Sequence, residues 1–483
     1  MTLSHGVDRR RFCRLLSSTL PFLSLSASPL FASDKREQEP HFFLNFIISG
    51  GADVTYLFDA RPLEFTDAGR LQNYLYKNAA IGSQVLKDPT PLRWEGSNGV
   101  ATLVTPLANP LEKYRQHFSI LNGVVMLANG LVGHGQNLYF LFNGQSGNGA
   151  SFVPILGSTR GTPLDSVHVG GFEGDGNDPP NNFSGSVALN ADTGLILAED
   201  LRKGIKLDLN TKTSAFIQQR MTQNSSGAGL FSQGTRKLLQ GFQRAPQLSD
   251  ALKSVTDSAD TTGLSTALQV AYQYFMRGVT SCMTIMIDYD PDIDTHDKEN
   301  AQEQPAKYKS LLDELAMVFQ WLTTTPFDAA NGKSFLDVTT VMISSEFSRT
   351  MRQERTEIDA TGTDHNPLTN TVLLAGKGIR GGLIVGSSDL QSLGENRSFQ
   401  NVSKAHRALD PALLCMMGLP MDLDSLQTRP GIEEDFVLEH HLCFPSVVNT
   451  LFHLAGVKEE SHFRFGPGSS KRAPVLRKLL TNA

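Results

Sequence analysis

Four short stretches of this 483-residue chain carry side chains that can bind a metal or move a proton. The first ends in Asp53, after Gly50-Gly51-Ala52. The second is Asp294-Thr295-His296. The third is Ser345–Thr350, which holds Glu346 and Arg349. The fourth is Thr363-Asp364-His365-Asn366. Together they offer the carboxylates of Asp53, Asp294, Glu346 and Asp364 and the imidazoles of His296 and His365, with His134 as a helper. Mixed oxygen and nitrogen donors suit Zn²⁺, Mn²⁺ or an Fe-type ion better than the all-oxygen preference of Ca²⁺. Taken singly, each stretch has a plainer account. Asp53 after two glycines reads as a turn or helix cap, since a carboxylate accepts hydrogen bonds from exposed backbone N–H groups. Asp294 or Thr295 reads as the cap of a following helix, Glu346 and Arg349 as an ion pair, and Asp364-His365 as a loop hydrogen bond.

What joins the stretches is the element before each of them. Phe42–Ser49 is a continuous apolar run of strand length, as are Ser281–Asp288, Val338–Ser344 and Thr371–Ala375. Unbroken apolar runs are what a strand needs when both its faces are covered. Between them lie helical patterns, at Leu264–Met276, Tyr308–Leu322 and Ser446–Leu454, the last ended by Gly456 as a C-cap. Strands alternating with helices predict a mainly parallel α/β sheet with helices on both faces. Such sheets build sites at the carboxyl ends of their strands, where all four clusters would then gather. Residues 144–195, rich in Gly, Asn, Ser and Pro, read as long loops over the sheet edge. Residues 205–262 read as a polar helical insertion. His168 reads as a strand residue, and His440-His441 as ordinary loop histidines.

Composition excludes some alternatives. The chain is 40% hydrophobic and 19% charged, with a formal charge of −6, and shows none of the basic excess of a nucleic-acid binder. Asp8-Arg9-Arg10-Arg11-Phe12 has the form of a twin-arginine export motif. Leu15–Ala32 follows it, too short and too polar for a stable membrane span but suited to the apolar region of a signal peptide. We therefore expect a signal peptide at 1–32, cleavage near Ala32, a charged linker at 33–41, and a periplasmic or extracellular protein whose partner is the twin-arginine export machinery. One domain is expected over 42–470, with a C-terminal tail at 471–483. The four cysteines, Cys13, Cys282, Cys415 and Cys443, match no zinc spacing and read as buried thiols after removal of the first.

The segments SGGAD (Ser49–Asp53), DTH (294–296), SSEFSRT (Ser344–Thr350), GTDHN (Gly362–Asn366) and GKGIRGGLIVG (Gly376–Gly386) resemble the bacterial family called domain of unknown function 1501. That family belongs to the alkaline-phosphatase/sulfatase-like superfamily. SEFSRT is similar to its SEFGRT, with Ser348 in place of Gly, and GTDHN to its GTDHG, with Asn366 in place of Gly. The resemblance runs from about 42 to 456 and implies an alkaline-phosphatase-like fold with one or two divalent ions. It places the ligand roles on Asp53, Asp294, His296, Glu346, Asp364 and His365, and a hold on a substrate oxygen on Arg349. It also exposes a departure: the family has a Ser-His pair near His134, and here Gly133 precedes that histidine. Thr55 is the substitute hydroxyl. The implied activity is hydrolysis or transfer of phosphate or sulfate esters, with a small molecule or an envelope polysaccharide as substrate. The alternative is a non-catalytic envelope protein that keeps the fold for binding or assembly.

Overall fold

Side chains alternate between two faces along each strand, so a strand buried on both faces is apolar except where a polar side chain finds a partner. Phe42–Ile48 (β1), FFLNFII, has all seven residues buried, and its one polar side chain, Asn45, donates to Thr284 Oγ1 at 3.3 Å. The computed structural model describes residues 40–60, 92–96, 101–126, 134–143, 151–162, 164–169, 186–189, 264–287, 293–294, 298–349, 365–392, 414–429, 437–466 and 469–481. Besides β1, its main sheet contains β2 (Phe118–Asn122), β3 (Ser166–Val169), β4 (Ser186–Leu189), β5 (Cys282–Ile287), β6 (Thr339–Ser345), β7 (Thr371–Gly376) and β8 (Ile384–Val385). The order is β8-β2-β7-β6-β1-β5-β3-β4. β7 runs antiparallel to β2 and β6, and the other pairings are parallel. This is the mainly parallel α/β sheet expected from the apolar runs.

Two cores flank it. Phe42, Leu44, Phe46 and Ile48 point to one side with Met283, Ile285, Val341 and Ile343. Helices α3 (Leu264–Met276) and α4 (Lys298–Thr324) cover that side, with the 3-10 segment Pro106–His117. Phe43 and Ile47 point to the other side with Met286, Met342 and Leu374. There α1 (His134–Asn143), α2 (Phe152–Ser158) and α5 (Phe444–Ala455) close over the sheet. α5 stops at Gly456, which takes the left-handed conformation (φ 74°) that a C-cap requires.

The structure departs from the sequence reading in three places. The stretch 144–195, expected as loops, contributes α2 and the strands β3 and β4. Four residues such as SVHV or SVAL in Gly- and Asn-rich surroundings are too few to show a period, and they become strands by pairing with β5 and with each other. Phe118–Asn122 (FSILN) is a fully buried strand of the main sheet that the apolar-run argument passed over. The end of the chain is no free tail. Ala473, Leu476, Leu479 and Leu480 are buried in the second core, and Arg380 N–H donates to the Leu479 carbonyl.

The expected signal peptide and linker up to residue 39 and the 205–262 insertion lie outside the described residues. Among those residues no helix is long and apolar enough to cross a membrane. Cys282 and Cys443 are buried free thiols, which burial pushes up to about 12 and about 11 respectively.

Candidate functional site

Three parallel strands, β1, β5 and β6, end side by side, and the chain leaving each supplies part of one polar cluster. After β1 the backbone turns through Gly50 and Gly51. Gly51 has φ +72°, and a Cβ there would lie 2.3 Å from the Phe347 ring and 2.9 Å from Arg349 Nε, so only glycine lets the turn pass beneath them. The turn leads to Asp53, fully buried. Its Oδ1 accepts from Thr55 N–H (2.9 Å) and Thr55 Oγ1 (2.6 Å), capping the 3-10 segment Val54–Tyr56. Asp53 N–H donates to the Tyr308 hydroxyl. Burial and the Asp53 charge keep that phenol protonated, well above its usual range.

After β6 comes Glu346, with no exposed surface. Oε1 accepts from Gly50 N–H (2.9 Å) and lies 2.9 Å from His134 Nδ1, while Oε2 lies 3.0 Å from Ser345 Oγ, whose one proton also faces the Ile48 carbonyl at 2.8 Å. Arg349, three residues on, is also fully buried. Its guanidinium donates to the carbonyls of Gly51 (3.2 Å) and Gly50 (2.6 Å) and pairs with Asp294 Oδ1 at 2.9 Å. The ion pair considered for Glu346 and Arg349 is thus made by Arg349 with Asp294. Arg349 ties the β1 turn to the chain beyond β5.

His134, the first residue of α1, is the hub. Its Nε2 lies 3.3 Å from Asp294 Oδ2 and 3.2 Å from His365 Nε2. Phe347 packs beside the two imidazoles, 4.9 Å from His134 and 4.3 Å from His365 by ring centroids, while the imidazoles themselves lie 4.7 Å apart. Burial disfavours a charge on His134, but hydrogen bonds to Asp294 and Glu346, with the Glu346 charge, outweigh it and raise its pKa to about 9. One turn along α1, Asn137 is fully buried, and neither amide atom has a hydrogen-bond partner.

His365 is placed by a two-residue antiparallel ladder, Ser348↔Asn366 and Arg349↔His365. The two positions where SEFSRT and GTDHN depart from the family pattern are therefore direct partners. Ser348 Oγ accepts from Val54 N–H (3.2 Å), and Asn366 bonds the Met416 carbonyl (2.8 Å) and Leu368 N–H (3.1 Å).

Of the residues singled out from sequence, the structure brings together Asp294, Glu346, Arg349, His365 and His134. Asp53 and Thr55 sit on the neighbouring turn, bonded to each other. His296 and Asp364 lie outside the described residues. Tyr308, Ser345 and Phe347 were missed. Phe347 and Ser345 flank Glu346 in sequence, which was the available signal; Tyr308 reads only as a core position of α4. His168 is a strand residue in β3, and His441 is buried with Nδ1 at 3.0 Å from the Gly418 carbonyl.

The metal expected here is tested by these contacts. The donor types are right for a transition-metal ion at His134, His365 and Asp294. Glu346 is held by protein donors in this arrangement, through Gly50 N–H at Oε1 and Ser345 Oγ beside Oε2. Among the described residues, no group of three or more His, Cys, Asp or Glu side chains is arranged to hold a metal ion.

The fold and this cluster define an α/β protein with a polar site at the carboxyl edge of a mainly parallel sheet. Residues 287–416, which include Asp294, Glu346, Arg349 and His365, match the family described as "Protein of unknown function (DUF1501)". No curated protein matches the chain. Similar solved structures include a protein in the alkaline phosphatase superfamily from Vibrio parahaemolyticus (9% identity, 78% of this chain and 70% of that chain, TM-score 0.28). Another is the alkaline phosphatase of the Antarctic bacterium TAB5 (12%, 71% and 92%, 0.30). A third is a sulfatase from Pseudoalteromonas sp. (9%, 92% and 72%, 0.31). Likenesses this remote say nothing about activity.

Proposed function

We propose that the protein is an exported, metal-dependent hydrolase or transferase acting on phosphate or sulfate esters, with esters of envelope polysaccharide among its substrates. The observation that supports this most is the convergence of Asp294, His134, His365, Glu346 and Arg349 on one partly buried cluster where β1, β5 and β6 end. Structural ion pairs seldom bring two imidazoles, two carboxylates and a buried guanidinium together at the strand edge where α/β proteins place their ligands. A divalent ion, on this reading, would draw its ligands from Asp53, Asp294, His296, Glu346, Asp364 and His365, of which His296 and Asp364 lie outside the described residues. Such an ion, when bound, supplies Lewis-acid polarisation of a phosphoryl or sulfuryl oxygen. The protein's own residues supply position: Glu346 fixes the His134 ring, Arg349 fixes Asp294 and the Gly50-Gly51 turn, and Phe347 sets the two imidazole planes.

Export by the twin-arginine route and a periplasmic or extracellular location are part of this proposal, resting on Arg9-Arg10-Arg11-Phe12 and the apolar stretch after it. Loss of export from a chain carrying Lys at positions 9 and 10 is the check.

The second reading, a non-catalytic envelope protein for binding or assembly, is favoured by one observation. The hydroxyl looked for is missing or engaged: Gly133 precedes His134, and Thr55 Oγ1 donates to Asp53 at 2.6 Å. The deciding experiment measures the metal content of the purified mature protein and then assays p-nitrophenyl phosphate, p-nitrophenyl sulfate and sulfated polysaccharide. Stoichiometric metal with turnover that falls at least 100-fold in Asp294→Ala supports the enzyme. Stoichiometric metal without turnover on any ester supports the binding protein. Absence of metal after reconstitution with Zn²⁺, Mn²⁺ and Fe²⁺ removes the metal-dependent reading.

A further inference from the structure

We infer that the protein carries a second binding surface, away from the polar site: a strip of exposed cations, built by the end of the chain and the loop after β7, that takes an anionic polysaccharide with repeating sulfate or phosphate groups. The inference stands apart from the activity proposed above, since the strip binds such a polymer whether or not the site turns it over.

Three observations carry it. The first is the distribution of charge. The whole chain has a formal charge of −6, yet residues 461–483 contain five Lys and Arg and no Asp or Glu. Arg464, Lys471, Arg472, Arg477 and Lys478 are all exposed. Ala473, Leu476, Leu479 and Leu480 are buried in the second core, so the segment is anchored by its apolar residues and turns its cations outward. Arg380, also exposed, joins them from the loop after β7: its N–H donates to the Leu479 carbonyl and its Nη1 to the Lys478 carbonyl (3.2 Å).

The second is what these cations bond to. Lys478 Nζ donates to the Ser425 carbonyl (3.2 Å), Arg472 Nη2 to the Glu460 carbonyl (3.1 Å) and Arg464 Nη1 to the Ser469 carbonyl (3.4 Å). Neutral acceptors hold these side chains in place and leave their charge uncompensated. Arg464 and Arg472 also face each other across an antiparallel bridge. Like charges directly opposite destabilise such a pair, and an anion laid across them removes that cost. Two carboxylates lie within the strip, Glu459 and Glu460. Both are exposed, and they approach Arg477 and Lys458 only at 3.8 Å and 3.9 Å. Exposed pairs of this kind contribute little, so a multivalent anion displaces them.

The third is position and surroundings. β7 ends at Gly376, opposite Thr340 near the start of β6, so the loop carrying Arg380 lies at the amino edge of the sheet, whereas the polar site lies at the carboxyl edge. The strip offers no apolar anchor. Among the described residues the exposed large apolar side chain is Met317, on α4 over the first core. A protein partner is recognised largely through buried apolar and aromatic side chains, a lipid interface through inserted ones, and a single-stranded nucleic acid through stacking on aromatic rings. Cations alone suit a hydrophilic chain with regularly repeated charges, several of which bind at once.

Binding of dextran sulfate to the mature chain is measured by calorimetry in about 50 mM and about 200 mM NaCl, with uncharged dextran, a DNA duplex and phosphatidylglycerol vesicles as comparison probes. Dextran sulfate is expected to bind most tightly and uncharged dextran not at all, and the rise in salt to weaken binding roughly 10-fold or more through release of counterions. Arg472→Glu with Lys478→Glu, one change in each half of the strip, is expected to weaken binding at least about 10-fold and to flatten its salt dependence. Arg93→Glu with Arg277→Glu, an equal change in net charge on exposed residues outside the strip, is expected to weaken it less than about twofold. Should the first pair misfold, judged by circular dichroism, Lys471→Gln with Arg477→Gln decides. Absence of dextran sulfate binding at the lower salt, parent-like binding by a folded strip variant, or an equal loss in the control pair overturns the inference. So does binding of uncharged dextran, or tighter binding of the DNA duplex or the vesicles, which would make the partner a neutral glycan, a nucleic acid or a membrane. None of these outcomes bears on the hydrolase reading, which turnover of small esters decides.

Discussion

The two faces of the sheet are covered by different kinds of structure. On one face lie two long helices, α3 and α4, joined to the sheet by an aromatic group of Phe42, Phe275, Phe335, Tyr272 and Trp321. On the other, α1, α2, α5 and the end of the chain are assembled from pieces far apart in sequence. The polar cluster belongs to this second face, because His134 opens α1. The regular face gives the strands a fixed platform. The composite face carries the side chain that reaches Asp294, His365 and Glu346. The two layers thus contribute unequally to the site, with His134 from the composite face and Tyr308 of α4 from the regular one.

That division is testable first with paired truncations. Phe319 and Phe444 are both fully buried, one in each core. Phe319→Ala and Phe444→Ala should each cost about 3–5 kcal/mol in urea unfolding. Only Phe444→Ala should also weaken metal binding in the folded protein, because Phe444 packs against Phe140 of α1 (5.7 Å) and Phe152 of α2 (6.3 Å). Equal effects on binding would mean that the faces are not separate.

A second test concerns protons. In metal-free protein the His134 pKa rises from 6.5 to about 9 on folding. The stability this adds is therefore fully present below pH 6.5 and is lost as pH rises through about 9. Unfolding midpoints of the chelated protein should fall across that window, and His134→Gln should flatten the slope. Truncations in the first core should leave the slope unchanged.

The smallest effect is expected at Asn137. A buried amide with both atoms unpartnered costs about 1–3 kcal/mol, so Asn137→Leu should stabilise the ligand-free protein by an amount in that range. Destabilisation would show that the amide holds a bound group in solution, and would make the second face more polar than its apolar contacts suggest.

The same contrast explains what was legible from residues alone. β1, β5 and β6 are written as unbroken apolar runs, and α3 was bounded as it is observed. Asp294, Glu346, Arg349 and His365 were legible because each follows such a run or belongs to a motif tied to one. His134 was visible only as a helper. It follows a Gly-rich stretch with no strand pattern, and its central place depends on three partners 160 to 231 residues away, of which sequence spacing gives no sign. Apart from His168, which reads as a strand residue, β3 and β4 were hidden for a related reason: four-residue strands owe their existence to the neighbour they pair with. The C-terminal residues read as a tail because their apolar side chains are few and irregularly spaced, yet they fill gaps in the second core.

The place of β1 in the sheet has a consequence for synthesis. This strand emerges from the ribosome early, but both its neighbours, Cys282–Ile287 and Thr339–Ser345, are encoded far downstream. Until about residue 349 has been made, FFLNFII has no native partner on its β6 side and no Arg349 to hold the turn after it. An uncharged, β-prone heptapeptide in that condition is a hazard for self-association. For most of its translation the nascent chain therefore carries this strand without its β6 partner. Closure of Arg349 on the Gly50 and Gly51 carbonyls, across a separation of 298 to 299 residues, marks the end of that vulnerable interval.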